Sequence, residues 1–181
     1  MKKDRRVLKT EESIQSSLME LLTYKSLSKI TITELAQKAG IERKTFYLHY
    51  DSIDDVLLEI EDQLQSELTH KLLNEKTLTA EKLLKILDSL MLKERKFYQG
   101  IMITSPNVFL NDDFQLILER CLEKYFFKSA GLISSKGKKY YAAFLSAGIM
   151  QCYRKFLEDP NSKIEIVDAV LKDILKKYEI N

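Results

Sequence analysis

Residues 31–50 read Thr-Ile-Thr-Glu-Leu-Ala-Gln-Lys-Ala-Gly-Ile-Glu-Arg-Lys-Thr-Phe-Tyr-Leu-His-Tyr, and this stretch decides the fold. Thr31 to Glu34 has the spacing of a capping box, which predicts a short helix from Thr33 to Ala39. Gly40 then occupies the position just after the helix, where a residue with left-handed backbone conformation commonly ends a helix. A further short helix is predicted from Glu42 to His49. Two short helices joined by such a turn form a helix-turn-helix.

The second of these helices divides into an inward and an outward side. Phe46 and Tyr50 are four residues apart and point back at an earlier amphipathic helix that carries Ile14 and Leu18. The remaining side chains carry hydrogen-bond donors on a short, exposed helix, which suits the major groove of DNA. They are Arg43, Lys44, Thr45, Tyr47 and His49. Thr31 and Thr33, at the start of the preceding helix, are candidates to bond phosphate oxygens.

The rest of the chain continues in helices. The 181 residues include only 5 Gly and 2 Pro, too few for the many tight turns of an all-β fold. Apolar periodicity and capping signals predict an all-α protein of about nine helices. We divide it into a helix-turn-helix domain over residues 1–51, which includes the basic amino-terminal arm, and a helical domain over 52–181.

Charge is concentrated at the amino-terminal end. Residues 1–50 hold ten Lys and Arg against six acidic residues, whereas the net charge of the whole chain is only +2. A basic segment on a nearly neutral remainder suggests two tasks in one chain. We expect the first basic residues, Lys2, Lys3, Arg5 and Arg6, to act as a flexible arm on DNA; the alternative is that these charges merely solubilise the protein.

Several classes of protein are disfavoured. No run of about 18 apolar residues or apolar signal segment is present, so we expect a cytoplasmic protein with no membrane partner. Cys121 and Cys152 form no paired motif, and the two histidines, His49 and His70, lie on different elements. No nucleophile, phosphate-loop or metal-ligand motif appears. We therefore expect no enzyme, no cofactor and no metal.

The residues from about Ile14 to Ile60 resemble the DNA-binding domain of the TetR/AcrR family of transcriptional regulators. The resemblance rests on Ile30 to Ala36, Ala39 to Ile41, and Thr45 to Tyr50 with the following acidic residues. It implies an all-helical homodimer that binds double-stranded operator DNA. It also implies that Arg43, Lys44 and Thr45 read bases while Thr33, Tyr47 and His49 contact phosphates. One departure is Ile53, where the family often has a phosphate-binding lysine.

The later helices are rich in aromatic residues. Twelve of the 17 Phe and Tyr residues fall between Phe97 and Phe156, where the family keeps its effector pocket. These side chains are candidates to bind a small apolar effector, although they also suit a plain helical core. The candidates for ligand contact are Phe97, Met102, Phe114, Cys121, Tyr125, Tyr141 and Phe144.

The last two helices of family members pair across the dimer. Here they carry apolar faces that suit either that interface or packing within one chain. The candidates for the dimer interface are Ile149, Cys152, Phe156, Val167, Val170, Leu171 and Ile174.

The sequence thus predicts a sequence-specific DNA-binding regulator, a repressor that a small apolar or aromatic effector releases. Two alternatives stay open. A faint resemblance of residues 147–157 to a dihydroxyacetone-kinase activator subgroup points to a regulator that binds a protein co-regulator. The other alternative is an α-helical, protein-binding adaptor with no role on DNA.

Overall fold

The computed structural model describes residues 4–75, 78–104, 112–127 and 135–178. Within these ranges the chain forms nine α-helices and no β-strand, which confirms the all-α prediction. A 3₁₀ turn, Leu27–Lys29, precedes α2, and a π-helical turn, Leu122–Phe126, follows α7. The helices are α1 Arg5–Leu22, α2 Ile32–Lys38, α3 Arg43–Phe46, α4 Ile53–Leu73, α5 Ala80–Lys93, α6 Arg95–Thr104, α7 Asp112–Cys121, α8 Ser135–Glu158 and α9 Ile164–Lys176.

The chain divides into two compact units. The first unit comprises Met1–Leu64 and Lys96–Asn107, and the second comprises Gln65–Arg95 and Val108–Asn181. The division falls inside α4 and again at either end of α6, whereas the sequence-based domains meet between residues 51 and 52. The sequence-based domains are defined by expected function as well as by packing, so the boundary between them stays a prediction.

The sequence predicts that Thr10 caps the first helix, with Glu11 and Glu12 in its first turn, but α1 begins earlier. The side chain of Asp4 accepts a hydrogen bond from the backbone N–H of Arg6 at 2.9 Å and caps the helix, so Thr10 is an interior residue. Aspartate is among the best N-cap residues, and it lies one and a half turns ahead of Thr10. Arg5 and Arg6 are therefore helical, which corrects their assignment to a flexible arm; Lys2 and Lys3 lie outside the described residues.

The helix-turn-helix forms as its sequence predicts. Thr31 caps α2 through a bond from the Glu34 N–H to its Oγ1 at 3.2 Å. Gly40 has φ 69°, a value that glycine adopts without steric cost. The Ile41 N–H reaches back to the carbonyl of Ala36 at 3.0 Å, which closes the turn after α2. Leu35 and Phe46 are fully buried in the core of this unit.

Helix α6 packs against the carboxyl end of α1 in the same unit. A Cβ built on Gly100 would lie 1.9 Å from the carbonyl oxygen of Leu22, far inside the closest non-bonded approach of a carbon and an oxygen atom. Glycine at this position therefore allows two backbones to approach where a side chain would separate them.

In the second unit, an arginine fixes the connection between α8 and α9. The Arg95 guanidinium donates to the carbonyls of Asp159, Pro160 and Ser162 at 3.1–3.3 Å. It also lies 4.3 Å from the centre of the Phe156 ring. A planar donor group that also stacks on an aromatic ring suits arginine better than lysine.

Candidate nucleic-acid interface

The recognition helix is short, but its helical course continues for one more turn. Backbone bonds from Leu48 to Thr45 and from Tyr50 to Phe46, at 3.1 and 3.0 Å, extend the coil beyond α3. Phe46 and Tyr50 are buried on its inner side, as predicted. We use the name recognition face for the four side chains that point outward at helical spacing: Arg43, Lys44, Tyr47 and Leu48.

Arg43 is held by its neighbour one turn on. Its Nη2 donates to the phenol oxygen of Tyr47 at 3.1 Å, and its Cζ lies 5.6 Å from the Tyr47 ring centre. A guanidinium carries five N–H donors, so several remain for a base edge. The contact with Tyr47 reduces the side-chain freedom that Arg43 would lose on binding DNA.

Among the described residues, Lys44 forms an ion pair with its neighbour Glu42 alone. Their side chains are 3.0 Å apart and 82% and 71% exposed. An ion pair this exposed contributes little free energy, so Lys44 can exchange it for a phosphate or a base at small cost.

The two threonines at the start of α2 lie where the sequence predicts. Thr31 and Thr33 are both exposed. The Thr31 Oγ1 accepts the capping bond, which leaves its hydroxyl proton to donate to a phosphate oxygen. Helix amino termini also favour anions.

Two predicted contact residues are less accessible than expected. The side chain of His49 is 10% exposed and faces Glu11 across 3.4 Å, because its position turns it back toward α1. Thr45 is half-buried beside Phe46. His49 is therefore not among the outward side chains, and its predicted phosphate contact requires the ring to leave Glu11.

A hydrogen-bonded network connects the recognition segment to α1 and α4. The Tyr50 hydroxyl donates to Glu59 of α4 at 2.5 Å and accepts from Gln15 of α1 at 3.0 Å. Burial, followed by the bond to Glu59, raises the pKa of Tyr50 well above its usual value. The phenol thus stays protonated and ties three segments together.

Ile53 has a packing role at the position where the family often has lysine. It lines an open groove of about 550 Å³ together with Leu27 and Ile30. Asp51 and Asp54 flank this groove, which makes it unattractive to phosphate.

The predicted effector residues are not all interior. Phe97, Phe114 and Cys121 are buried, and Tyr125 is partly exposed. Tyr141 is 39% and Phe144 67% exposed, so neither is enclosed in the chain's own interior. The side chain of Met102 lies outside the described residues. Sequence periodicity identified the apolar residues but not the side on which each one lies.

The predicted dimer residues need a similar correction. Ile149, Phe156, Val167 and Leu171 are buried within one chain, whereas Cys152 and Ile174 are partly exposed and Val170 is 48% exposed. The buried four pack the second unit itself and are not free to meet a partner. The large exposed apolar side chains of α8 and α9 are Tyr140, Tyr141, Phe144, Ile166 and Val170. We use the name outer face for the four of them that lie four residues apart on their helices: Tyr140 and Phe144 on α8, and Ile166 and Val170 on α9.

The second unit also buries acidic groups that the sequence did not reveal. The Tyr153 hydroxyl on α8 donates to Oδ1 of Asp88 on α5 at 2.6 Å. Asp168 on α9 lies beside this carboxyl, and no donor among the described residues reaches its buried Oδ1. Burial, together with the neighbouring acids Asp168 and Glu165, raises the pKa of Asp88 to about 6 although Tyr153 opposes the shift.

Asp88→Asn should therefore stabilise the protein more at pH 8 than at pH 5. The folded pKa of Asp88 lies above its ordinary value of 3.8, so the wild type loses stability as the pH rises from about 4 through 6. Asparagine stays neutral, and the gain at pH 8 should be about 1–2 kcal/mol after allowance for partial exposure. Urea unfolding at both pH values measures it, with Glu81→Gln on the exposed side of α5 as control. A gain that does not depend on pH would contradict the assignment.

Two curated proteins match part of this chain. No family model matches the chain. It is 38% identical over 55 residues to the uncharacterized HTH-type transcriptional regulator YxbF of Bacillus subtilis. It is 39% identical over 54 residues to the HTH-type transcriptional regulator EthR of Mycolicibacterium smegmatis. Each match covers 30% of this chain, but only 14% of YxbF and 25% of EthR.

Solved structures extend the likeness to nearly the whole chain. A TetR transcriptional regulator from Streptococcus agalactiae superposes with a TM-score of 0.67 at 24% identity, covering 98% of both chains. The chain has the TetR/AcrR fold. The dihydroxyacetone kinase operon activator DhaS superposes with a TM-score of 0.75 at 22% identity, covering 94% of this chain and 98% of DhaS. These findings confirm the TetR/AcrR resemblance that residues 14–60 predicted.

Two findings bear on the other predictions. The similar proteins of the TetR/AcrR fold are named as transcriptional regulators and not as enzymes. Among the described residues, no helix has both the length and the apolar character needed to cross a membrane.

Proposed function

We propose that this chain is a sequence-specific DNA-binding transcriptional regulator that acts as a homodimer in the cytoplasm. The observation that carries the proposal is the recognition face, where Arg43, restrained by Tyr47, stands beside the weakly paired Lys44. Arg43 and Lys44 read base edges in the major groove, and Thr31, Thr33 and Tyr47 contact the phosphate backbone. Thr45 and His49 lie at the border of this surface.

Binding to mixed-sequence duplex DNA tests the proposal directly. The affinity should fall steeply with salt, with a log–log slope of about −0.9 for each phosphate that the protein neutralises. On mixed-sequence DNA, where Lys44 has no specific base edge to bind, its ammonium group neutralises a phosphate, so Lys44→Gln should make the slope shallower. Lys85→Gln on the exposed side of α5 should leave the slope unchanged. Fluorescence anisotropy at a series of salt concentrations gives the slope. An adaptor with no role on DNA would bind no duplex at any salt concentration.

Two copies are needed to read two half-sites, and the outer face supports that pairing. Proteins of this family act as dimers. Tyr140, Phe144, Ile166 and Val170 leave a large apolar area uncovered on adjacent helices. Gly148 on α8 has no atom within 4 Å of a built Cβ, so a second helix has room to approach there. Such a patch is typical of an interface.

Phe144→Asp should convert the dimer to a monomer. A carboxylate buried without a partner is costly, so the apolar contact should fail. Light scattering should give about twice the 21.1 kDa chain mass for the wild type and the single mass for the variant. Tyr24→Asp is the matched control, since Tyr24 is an equally exposed aromatic side chain, 67%, outside the outer face. A variant that remains dimeric would remove this face from the interface.

The default action we propose is repression, in which the bound dimer obstructs RNA polymerase. A small apolar or aromatic effector would release it by binding near Phe114 and Cys121 in the interior of the second unit. Release requires that the effector prefer the form that does not bind DNA, because equal affinity for both forms shifts nothing. Anisotropy of the DNA complex, measured against a panel of aromatic compounds, tests this mode of control.

One alternative mode of control has support of its own. DhaS is named an operon activator, and the exposed Tyr141 does not suit an enclosed pocket. A protein co-regulator would then take the place of the small effector. Tyr141→Ala should weaken binding of that protein while leaving duplex affinity unchanged.

A further inference from the structure

Leu48 is the least explained side chain of the recognition face. It is 81% exposed, more than any other exposed large apolar side chain among the described residues. Isolated exposed leucines are common on protein surfaces and need no partner. This one, however, belongs to a surface whose other members, Arg43, Lys44 and Tyr47, are cationic or hydroxyl-bearing.

The backbone fixes the direction of Leu48. Its N–H bonds to the Thr45 carbonyl at 3.1 Å, and the next two residues bond back to Phe46. Leu48 is thus held one helical turn beyond Lys44, on the side opposite the buried Phe46 and Tyr50. It projects in the same direction as the donors that reach the groove.

The major groove offers few apolar partners for such a side chain. Base edges there present hydrogen-bond donors and acceptors, and the C5 methyl group of thymine is the apolar group among them. On the basis of the proposed function, we infer that Leu48 contacts a thymine methyl group and specifies thymine at one position of each half-site.

Replacing thymine by deoxyuridine removes that methyl group and leaves the base pair intact. The duplexes to use are those that the wild-type protein enriches from a random-sequence library. In these duplexes, each thymine of both half-sites is replaced in turn. At one position, the wild type should lose affinity about fourfold for each half-site, or about 15-fold for both, which is the usual effect of one buried methyl group.

Leu48→Ala should bind the thymine duplex more weakly and should no longer distinguish thymine from deoxyuridine at that position. Leu58→Ala is the matched control, because Leu58 is an exposed leucine, 58%, on α4. It should retain the wild-type preference. Both variants should melt at the wild-type temperature, since neither side chain is buried.

The outcomes separate this inference from the function on which it rests. If no thymine methyl affects wild-type affinity, or if Leu48→Ala keeps the full preference, Leu48 does not read thymine although the protein binds DNA. If the library yields no bound duplex, both the proposed function and this inference are wrong.

Discussion

Arg43→Ala should reduce affinity for the selected duplex by about 30-fold to 20,000-fold. A good bidentate contact to a base contributes about 1–3 kcal/mol of discrimination, and a dimer makes it twice. Arg43 is suited to such a contact because Tyr47 already restrains it at 3.1 Å. The loss should be largest for the selected sequence and much smaller for a scrambled duplex, so specificity should relax along with affinity.

Two further variants isolate the cause. Arg43→Lys keeps the charge and loses the bidentate hydrogen bonding of the guanidinium. Binding to scrambled DNA should therefore persist while the preference for the selected duplex falls. Tyr47→Phe removes the phenol oxygen and should weaken binding to all sequences, with a further loss on the selected duplex because Arg43 is no longer restrained. Anisotropy on both duplexes and footprinting on the selected one measure these effects. An unchanged footprint and affinity in Arg43→Ala would show that Arg43 is not a base reader.

Gly100→Ala should destabilise the first unit by about 3 kcal/mol or more. The added Cβ would lie 1.9 Å from the oxygen and 2.7 Å from the carbon of the Leu22 carbonyl. Both atoms belong to the backbone, so no side-chain rotation relieves the overlap and α6 must move away from α1. Urea unfolding of the two proteins measures the loss.

Gly148→Ala is the matched control for this substitution. Gly148 also lies in a helix, but a Cβ there meets nothing within 4 Å in one chain. Alanine should therefore add up to about 1 kcal/mol to helix stability when the chain is monomeric, as in a Phe144→Asp background. Equal stabilities for Gly100→Ala and the wild type would show that α6 does not approach α1 as described.

Local chemistry made the helix-turn-helix predictable from sequence. Thr31, Gly40 and Phe46 each act within a few residues of chain, through a cap, a left-handed turn and a helical spacing. The sequence placed the cap of α1 wrongly because Asp4 and Thr10 both have suitable side chains. The structure distinguishes the two candidates because the helix extends back past Thr10 as far as Arg5.

Orientation against distant helices was not predictable. His49 is a polar residue that the sequence predicts on the exposed side of its helix. Its side chain instead faces Glu11, which lies 38 positions earlier in the chain. Phe156 looks like an interface residue, yet it is covered within its own chain, where Arg95 stacks on its ring. Periodicity identifies an apolar side of a helix, and only tertiary packing decides whether that side meets the chain itself or a partner.

The contact at Gly100 affects how the first unit can be transferred to another protein. This compact unit is discontinuous, because α6 returns to it after α5, which belongs to the second unit. A fusion that carries only the first 64 residues would leave the end of α1 without its cover. An intact graft must also include α6, so it needs two segments of chain although the helix-turn-helix itself lies in one.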